Sequence, residues 1–526
     1  MTNIFLYGPP GSGKTTLGKL LAERLALPFC DLDVAIQEKA GRTIPQIFAE
    51  EGEAGFRARE RQTLEEVSTQ TTRRVIALGG GSLLDPVARA WAEAHGTVVC
   101  LNCPVDVLKE RIRLAPGTRP LVAGGLEEAE RKLADLMARR SSHYASFPVQ
   151  LDVREWNPDR LLDEVEVLFG TFRILSGDEP SDIVVGTNLL DSLGAFLVPR
   201  ALGRRCVIVA DSNTAPLYAD QVARALVSAG FTVSQTTIPA GEEDKTLTTV
   251  SSIWRAFLAA GLARDDFAVA VGGGVTGDLT GFAAATWMRG MRWVNVPTTL
   301  LAMVDASTGG KTGCDLPEAK NMIGAFHSPS LVLADVATLA TLNVREVRCG
   351  LAEVLKHAFI ADPSLVAQMS LFDELRTAAP TDALGTTIAG SALAAVVSRA
   401  LAVKVACVRR DPREQTGERA KLNLGHTVGH AVEIATDFAV KHGEGVAIGT
   451  VEEARLAVRL GLASADWPDR VAAVFAQVGL PTALPEGLDF TLLAEIMRRD
   501  KKKKDGKIRF ALPLDWGDVA LVPVEV

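Results

Sequence analysis

This chain contains few cysteines, and its basic residues are outnumbered by its acidic residues. Seven cysteines among 526 residues, an odd number, exclude a disulfide framework as the basis of the fold. A formal net charge of −8 argues against nucleic acid or an anionic membrane as the main partner. Anionic small substrates remain possible wherever lysines and arginines cluster locally.

Long apolar runs are absent as well. The longest uncharged stretch with helical character, residues 383–398, is too short and too rich in Gly, Ser and Thr to span a bilayer. The chain opens directly into a strand-like segment and a glycine-rich loop, which is not the pattern of a signal peptide. We therefore expect a cytoplasmic protein with no membrane partner.

The hydrophobic content of the chain is sufficient for several globular cores. The length predicts about three domains, and 47% of the residues are hydrophobic. Strand-like and helix-like segments alternate in residues 1–170 and again in 171–335, whereas helical patterns dominate 336–526. We predict an α/β fold with a parallel sheet in the first domain, a second α/β domain, and an all-helical third domain. The strand candidates are Pro28–Cys30, Ile4–Tyr7, Val75–Leu78, Val98–Leu101, Cys206–Ala210, Thr232–Ile238 and Phe267–Val271.

A phosphate-binding loop lies near the start of the chain. Residues 8–15 read G-x-x-x-x-G-K-T between a strand and the helical segment Leu17–Leu25, which is the context that this motif requires. Backbone N–H groups would surround the phosphates, Lys14 would reach the transferred phosphate, and the Thr15 hydroxyl would ligate Mg²⁺. The predicted ATP-binding residues are Gly11, Ser12, Gly13, Lys14, Thr15 and Thr16.

Further residues of the first 170 narrow the substrate. The ordered set is Asp31, Asp33, Arg57, Gly79, Gly80, Gly81, Arg119 and Arg140. Together with the loop, this set resembles shikimate kinase. Two arginines suit bidentate recognition of a carboxylate. Another small-molecule kinase, such as one for gluconate, is the alternative, and Asp33, Arg57 and Arg140 argue against it.

The resemblance implies ATP-dependent phosphorylation of shikimate by a P-loop kinase domain at residues 1–170. Asp33 would accept hydrogen bonds from the shikimate hydroxyls and would be the general base or lie next to it. Arg57 and Arg140 would bind the carboxylate, and Gly79–Gly81 would bring backbone N–H groups to the ring. Arg119 would close over ATP, and Asp31 would lie near Mg²⁺.

A second glycine-rich loop, residues 272–277, follows the strand candidate Phe267–Val271. It satisfies G-x-G-x-x-G, which alone is a weak sign of dinucleotide binding. The usual fingerprint places an acidic residue about 20 positions on to hold the ribose. No acidic residue occurs between Asp278 and Asp305. Any dinucleotide must therefore be held outside the ordinary arrangement.

Histidine is scarce, yet three of the seven histidines, His426, His430 and His442, fall close together. Their spacing alone would pair His426 with His430 on one helix face as metal ligands. No H-E-x-x-H occurs, so a metalloprotease is disfavoured. A cluster of this kind beside Arg419 and Asn423 is more typical of a site than of isolated structural histidines.

An ordered series of motifs resembles 3-dehydroquinate synthase over residues 172–526. The motifs are G-E-E-D-K at 241–245, the loop at 272–278, P-T-T at 297–299, G-G-K-T at 309–312, K-N-M-I-G at 320–324, G-L-A-E-V-L-K at 350–356, L-N-L-G-H-T at 422–427 and D-K-K at 500–502. The resemblance implies an NAD-binding domain at 171–335 and a metal- and substrate-binding domain at 336–526. It also implies Glu353, His426 and His442 as ligands of zinc or cobalt, with His430 on the substrate side.

The same resemblance implies the remaining site residues. Asp211, after a strand, would be the missing ribose partner. The implied NAD-binding residues are Asp211, Glu242, Lys245, Gly274, Val275, Thr276, Gly277, Asp278, Thr298, Thr299, Lys311, Lys320, Thr338, Leu339, Ala340 and Thr341. The implied substrate residues are Arg289, Asp305, Lys311, Asn321, Lys356, Lys404, Arg419, Asn423, His430, Lys501 and Lys502. Catalysis would fall to Asp305, Lys356, Arg419 and His430.

The implied reaction converts a heptulosonate 7-phosphate to 3-dehydroquinate and phosphate, with NAD regenerated in each cycle. Arg289 would reach across the interface of a homodimer. A related sugar-phosphate cyclase and an iron-type polyol dehydrogenase are alternatives for this half. A catalytically inactive scaffold is the alternative for either half, and intact Lys14, Asp33, Glu353 and His426 argue against it.

Overall fold

The computed structural model describes residues 3–70, 72–114, 126–176, 179–316, 319–499, 503–504 and 507–525. The chain divides into two compact units, Met1–Glu166 and Val167–Val526. The sequence predicts this boundary between residues 170 and 171. The further division of the larger unit near residue 335 stays a prediction.

The first unit contains a five-stranded, fully parallel sheet in the order β2-β3-β1-β4-β5. Its strands are β1 (Asn3–Tyr7), β2 (Phe29–Asp31), β3 (Val75–Ala77), β4 (Gly96–Asn102) and β5 (Val149–Asp152). Central strand β1 is buried along its whole length, as expected for a parallel strand covered on both faces. The phosphate loop follows this strand, so the loop sits at the carboxyl edge of the sheet, where ligands bind in such folds.

Helices connect the strands of the first unit. They are α1 (Lys14–Leu25), α2 (Leu32–Ala40), α3 (Ile44–Ser68), α4 (Pro86–His95), α5 (Val105–Leu114), α6 (Leu126–Ala145) and α7 (Pro158–Phe169). The alternation of strands and helices that the sequence predicts for residues 1–170 is confirmed. The predicted strands at residues 4–7, 28–30, 75–78 and 98–101 correspond to β1, β2, β3 and β4.

The second unit contains a seven-stranded sheet in the order β6-β7-β14-β11-β10-β8-β9. Edge strand β6 pairs antiparallel with β7, and the other pairs are parallel. The strands are β6 (Thr171–Ser176), β7 (Glu179–Gly186), β8 (Arg205–Asp211), β9 (Thr232–Ile238), β10 (Phe267–Gly272), β11 (Arg292–Pro297) and β14 (Leu331–Asp335). Two more strands, β12 (Lys311–Leu316) and β13 (Ala319–Phe326), form a separate antiparallel pair.

The helices of this part are α8 (Leu193–Leu197), α9 (Asp220–Ser228), α10 (Leu247–Ala259) and α11 (Gly274–Thr286). After β14 the fold becomes helical, as the sequence predicts. The helices are α12 (Val344–Ile360), α13 (Ser364–Gln368), α14 (Gly390–Arg410), α15 (His426–Ala435), α16 (His442–Arg459), α17 (Trp467–Gln477) and α18 (Phe490–Arg499).

The prediction that residues 336–526 are all-helical is wrong at the end of the chain. Strands β15 (Lys503–Lys504), β16 (Lys507–Asp515) and β17 (Asp518–Val524) form a small antiparallel sheet. Strand β16 packs its buried residues Ile508, Phe510 and Leu512 into a hydrophobic cluster with α15 and α16. The alternation of buried and exposed residues in β16 is broken at residues 510–513, which conceals its period of two.

Helix α14 is long and apolar enough to cross a membrane by length and composition alone. Most of this stretch is buried inside the protein, which is also the property of a core helix in a globular domain. Its residues Val396, Val397 and Leu401 belong to the largest hydrophobic cluster of the second unit.

Candidate active sites

The phosphate loop of the first unit joins β1 to α1. Gly8, Gly11 and Gly13 have φ angles of 133°, 89° and 96°, which residues with a Cβ rarely adopt. Helix α1 begins at Lys14, so its free N–H groups face the concave side of the loop. The Lys14 ammonium group donates to the carbonyl oxygens of Gly8 and Pro9, each at 2.9 Å. The loop therefore has the geometry of an anion cradle.

Thr15 and Asp31 meet at the mouth of this loop. The Thr15 hydroxyl donates to Asp31 Oδ2 at 2.7 Å, while Asp31 Oδ1 accepts from the Asp33 N–H at 3.1 Å. Asp31 thus caps helix α2 and also offers an oxygen beside the Thr15 hydroxyl. A hydroxyl and a carboxylate at this spacing fit Mg²⁺, which prefers oxygen ligands.

The triple glycine lies between two arginines. A methyl group built on Gly81 would lie 2.7 Å from Arg57 Nη2 and 3.3 Å from Arg140 Nη1. A methyl group built on Gly79 would lie 3.0 Å from Asp33 Oδ1. The structure therefore brings together Asp33, Arg57, Arg140 and the glycines that the sequence predicts to bind one substrate.

Asp33 is the titratable group of this cleft. Burial raises its pKa to about 6, and the nearby carboxylates Asp31 and Glu60 act in the same direction. A carboxyl group with this pKa takes up a proton more readily than an ordinary Asp and is still ionised at neutral pH, as a general base requires. Arg119 lies outside the described residues, so its predicted contact with ATP is not part of this geometry.

In the second unit, the glycine loop joins β10 to α11. A pocket opens there, and its lining includes Gly273, Gly274, Asp278, Ala306 and Lys311. A methyl group on Gly273 would lie 3.3 Å from Thr299 Cγ2, and one on Gly274 would lie 3.3 Å from Ala306 Cβ. Any larger side chain at either glycine would enter this narrow space. The predicted residues Val275, Thr276, Gly277 and Thr298 belong to α11 or to the segment after β11 that faces it.

Asp211 ends β8 next to the glycine loop, as the sequence predicts. Its Oδ2 accepts from the Thr276 hydroxyl at 2.9 Å, and its Oδ1 accepts from the N–H groups of Asn213 and Thr214 at 2.9 and 3.1 Å. The carboxylate therefore fixes the loop after β8 to the first turn of α11. The predicted stretch Thr338, Leu339, Ala340 and Thr341 lies beside Tyr218, whose hydroxyl contacts Thr338 O at 3.0 Å.

Lys245 is the centre of a polar network beside the glycine loop. Its ammonium group lies 2.7 Å from Asp278 Oδ2 and donates to Asn321 Oδ1 at 2.7 Å. Lys320 lies 3.3 Å from Glu242 Oε1 and 4.0 Å from Glu433 Oε2. Three predicted residues, Lys245, Asp278 and Asn321, are thus joined through one ammonium group. Two others, Lys320 and Glu242, form a separate pair.

Glu353, His426 and His442 converge on one point. Glu353 Oε1 lies 3.2 Å from His442 Nε2 and 3.6 Å from His426 Nε2. One ligand atom from each of the three residues lies within 4.8 Å of the others, the spacing expected of a metal site. The ring of His430 has its centroid 5.3 Å from that of His426, and His430, Glu433 and His442 form a second possible group.

The protonation of His426 and Glu353 suits a cation. His426 Nδ1 lies 2.9 Å from Leu424 O, which can only accept, so Nε2 carries the lone pair that points at Glu353. Burial holds the pKa of His426 well below its usual range. Burial alone would raise the pKa of Glu353, but Lys356 and the two imidazoles lower it strongly.

Close backbone contact between α15 and α16 sets the separation of the histidines. A methyl group on Gly429 would lie 2.7 Å from Gly445 O, and one on Gly425 would lie 2.5 Å from Val446 O. Because glycines occupy these positions, the two helices approach closely. His426 begins one helix and His442 begins the other, so this packing brings both rings to Glu353 on α12.

Two buried lysines share one carboxylate next to the metal-type cluster. Lys404 Nζ lies 2.6 Å and Lys356 Nζ 3.7 Å from Asp305 Oδ1, and Lys356 also pairs with Glu353. Burial lowers the pKa of Lys404, whereas Asp305 and Glu353 outweigh burial and raise that of Lys356. The cleft thus holds two ammonium groups beside two carboxylates, away from bulk solvent.

Arg419 is buried at the edge of this cleft. Its guanidinium donates to Gly309 O at 3.3 Å and to Pro412 O at 3.1 Å. Asn423 follows in the same short helical segment, Glu418–Asn423. Lys311 pairs with Glu414 at 2.7 Å. Arg289 is exposed, and Lys501 and Lys502 lie outside the described residues.

The sequence did not single out four buried residues that support these sites. Glu60 pairs with Arg57, and Tyr144 contacts the triple glycine. Asp411 accepts from four backbone N–H groups, three in the loop before Arg419 and one of Arg419 itself, and Glu433 contacts His442. Glu433 had a signal, because it lies three residues after His430 on the same helix.

Family comparisons agree with this division of the chain. The shikimate kinase family matches residues 10–165. The family description "3-dehydroquinate synthase N-terminal" matches residues 235–349, and "3-dehydroquinate synthase C-terminal" matches residues 350–503.

This chain matches relatives named 3-dehydroquinate synthase over nearly the whole length of those proteins. The protein from Symbiobacterium thermophilum is 45% identical over 352 residues, which are 66% of this chain and 95% of that protein. The protein from a Synechococcus species is 46% identical over 343 residues, 65% of this chain and 91% of that protein.

Two solved structures resemble the larger unit. A 2-epi-5-epi-valiolone synthase from Streptomyces hygroscopicus, with NAD⁺ and Zn²⁺ bound, is 31% identical with a TM-score of 0.57, and the match covers 65% of this chain and 92% of that protein. A 2-deoxy-scyllo-inosose synthase has a TM-score of 0.60 at 24% identity, with 68% of this chain and 96% of that one covered, and indicates the shared fold alone.

Proposed function

Because the chain belongs to the 3-dehydroquinate synthase family and also carries a shikimate kinase domain, we propose that one polypeptide catalyses two reactions of aromatic biosynthesis. The first unit transfers the γ-phosphate of ATP to shikimate. The second converts 3-deoxy-D-arabino-heptulosonate 7-phosphate to 3-dehydroquinate and inorganic phosphate. The two reactions use separate sites, and each site is built within its own unit.

The kinase proposal is supported most by the cleft around Gly81. Arg57 and Arg140 approach this glycine from the side that a methyl group would occupy. A carboxylate bound there can accept hydrogen bonds from both guanidinium groups. Asp33 then lies near Gly79, where it can accept the proton of an attacking hydroxyl. Lys14 and the loop N–H groups neutralise phosphate charge, and the Thr15 and Asp31 oxygens fit Mg²⁺.

The synthase proposal is supported by the convergence of Glu353, His426 and His442, the single observation on which it most depends. A carboxylate and two imidazoles fit zinc or cobalt, and three protein ligands leave a position open for substrate. When bound, the metal polarises a substrate oxygen as a Lewis acid, and NAD supplies a hydride acceptor that is regenerated in the cycle.

The residues around the cluster suit the proposed substrate. Lys356, Lys404 and Arg419 supply positive charge for its phosphate and carboxylate. Asp305 holds both lysines in place through Oδ1, and the two lysines keep the pKa of its carboxyl below its usual range in spite of burial. His430, beside His426 and His442, lies where it can donate to a phosphate oxygen. The glycine loop and the Lys245–Asp278 pair border the pocket proposed for NAD.

Two assays on the intact chain and two variants test the proposal. The wild type should phosphorylate shikimate with ATP and Mg²⁺, and it should release inorganic phosphate from the heptulosonate phosphate with NAD and zinc. Lys14→Ala should abolish only the first activity, and His426→Ala only the second. Absence of phosphate release by a folded, zinc-loaded wild type would contradict the synthase assignment and leave the kinase assignment intact.

We also propose that the chain acts in the cytoplasm as a homodimer formed through its second unit. Arg289 supports a role at an interface, because it is exposed and held with φ of 66° next to Met288, which has φ of 49°. Two consecutive non-glycine residues in the left-handed region of φ and ψ raise the conformational energy of the backbone, and such strain usually occurs where function demands that backbone geometry. Sedimentation of the wild type against Arg289→Ala, with synthase activity measured in parallel, tests this proposal.

A further inference from the structure

The carbonyl oxygen of Gly80 is surrounded by three donors. The Tyr144 hydroxyl donates at 2.7 Å, Arg140 Nη1 at 3.2 Å and the Tyr7 hydroxyl at 3.4 Å. Only the first of these is short for its type. Tyr144 therefore makes the strongest contact to this carbonyl, at the centre of the triple glycine.

The direction of this carbonyl determines the direction of the next N–H group. In a trans peptide the C=O of Gly80 and the N–H of Gly81 lie in one plane and point in opposite directions. Among the described residues, the N–H of Gly81 has no acceptor, whereas its own carbonyl accepts from Leu84 N at 3.1 Å. A carbonyl held by Tyr144 thus leaves the Gly81 N–H turned away from the core and available to a ligand.

Arg140 depends on the same contact. One of its Nη atoms donates to Gly80 O, and the same atom lies 3.3 Å from a methyl group built on Gly81. With Tyr144 in place, the carbonyl already has a strong donor. Without it, Gly80 O would compete with an incoming carboxylate for the guanidinium group of Arg140.

We propose that Tyr144 is a positioning residue for shikimate recognition, which fixes the Gly80–Gly81 peptide and so keeps the Gly81 N–H and Arg140 ready for the substrate carboxylate. The inference rests on the proposed kinase function and adds a residue that does not itself contact substrate. Tyr144 is suited to the role, because it is buried and its ring packs against Tyr7, with centroids 5.5 Å apart. Burial also raises its pKa, so the phenol remains a donor.

The test is the kinetics of Tyr144→Phe in the full chain with shikimate and ATP varied separately. The KM for shikimate should rise about five- to tenfold, the effect of losing one ordinary hydrogen bond, while the KM for ATP and kcat change less than twofold. Tyr7→Phe is the matched control, because it removes a buried phenol hydroxyl whose contact with the same carbonyl is longer. It should change the shikimate KM less than twofold.

Three results would overturn the inference. They are an unchanged shikimate KM in Tyr144→Phe, an equal rise in both variants, and a parallel rise in the KM for ATP. Titration of shikimate into the wild type separates this failure from failure of the proposed function. If the wild type neither binds nor phosphorylates shikimate, the kinase assignment falls and the inference falls with it.

A second measurement decides the matter if Tyr144→Phe does not fold. The chain has three tyrosines, so 3-fluorotyrosine gives three ¹⁹F resonances, which Tyr7→Phe and Tyr218→Phe assign. Addition of shikimate alone should shift the Tyr144 resonance and leave that of Tyr218 unchanged. A Tyr144 resonance that does not respond to saturating shikimate would overturn the inference.

Discussion

Glu433 Oε1 lies 3.0 Å from Nδ1 of His442, whose Nε2 lies 3.2 Å from Glu353. The imidazole ring is therefore held between two carboxylates, one in the proposed metal site and one behind it. A carboxylate behind a metal-binding histidine fixes the orientation and tautomer of the ring and makes it a better donor to the metal.

From this relationship we predict that Glu433→Gln weakens zinc binding about 10- to 100-fold. The measurement is competition with a chromophoric chelator, which reports zinc affinity without any catalytic assay. Glu452→Gln is the control, because Glu452 is likewise a buried carboxylate, on the neighbouring helix α16, but it pairs with Arg455. Equal affinities of Glu433→Gln and the wild type would contradict the prediction.

The pKa of Asp33 predicts the pH dependence of the kinase. Because burial and neighbouring carboxylates raise this pKa to about 6, the ionised form that acts as base is lost as pH falls through 6. We expect kcat/KM for shikimate to be constant above this pH and to fall tenfold per pH unit well below it. A profile that stays flat to pH 4.5 would show that Asp33 titrates as an ordinary carboxyl.

Replacement of Gly81 by alanine should weaken shikimate binding by a steric route. The added methyl group would lie 2.7 Å from Arg57 Nη2, so the guanidinium must move away from the cleft. Because Gly81 is not among the glycines with positive φ, the backbone itself accepts alanine. We expect a higher KM for shikimate, an unchanged KM for ATP and an unchanged unfolding midpoint. A normal shikimate KM would place the carboxylate elsewhere.

Replacement of Lys356 by methionine should destabilise the second unit as well as abolish its activity. Lys356 is fully buried between Asp305 and Glu353, and its removal leaves both carboxylates without this partner. Breaking a buried ion pair in this way costs about 3–5 kcal/mol. The midpoint of thermal unfolding should fall in the metal-free protein, while shikimate phosphorylation continues.

Lys421→Met is the comparison for this variant. Lys421 pairs with Glu418 at 3.5 Å near the surface, and exposed pairs contribute about 0–1 kcal/mol. It should therefore leave the midpoint almost unchanged. If the two methionine variants unfold at the same temperature, the buried lysine contributes no more to stability than a surface one.

Local patterns were sufficient for much of the fold. Continuous apolar runs such as Phe267–Val271 correspond to buried parallel strands, because both faces of such a strand are covered. Strands β5, β6, β7, β11 and β14 were not among the strand candidates. The β12–β13 pair and the hairpin of β16 and β17 were also missed. Their strands carry mixed residues whose partners are determined by packing against α11 or α15, which a local window does not contain.

Site residues were likewise predicted well where their groups lie close together in the sequence. Motifs with fixed spacing, such as the loop ending at Lys14, already place their groups together in the sequence. Spacing alone paired His426 with His430 as metal ligands, whereas the family resemblance implied His426, His442 and Glu353. Spacing could not include Glu353, because this residue lies far away in the sequence. Tyr144 and Glu433 act through another residue. Nothing in the local sequence specifies the Tyr144 contact, and only the spacing of Glu433 from His430 indicated that Glu433 lies near the site.

The glycine contacts between α15 and α16 have a consequence for ion choice. Where side chains separate two helices, a rotamer change can widen or narrow the gap. Here main-chain atoms at Gly425 and Gly429 already touch the opposite helix, so the helices cannot move closer together and no rotamer change at these positions alters the distance between the imidazoles. The main chain therefore sets a lower limit on the separation of the two rings, so a cation that needed them closer together than this could not be accommodated by side-chain movement at the glycine positions.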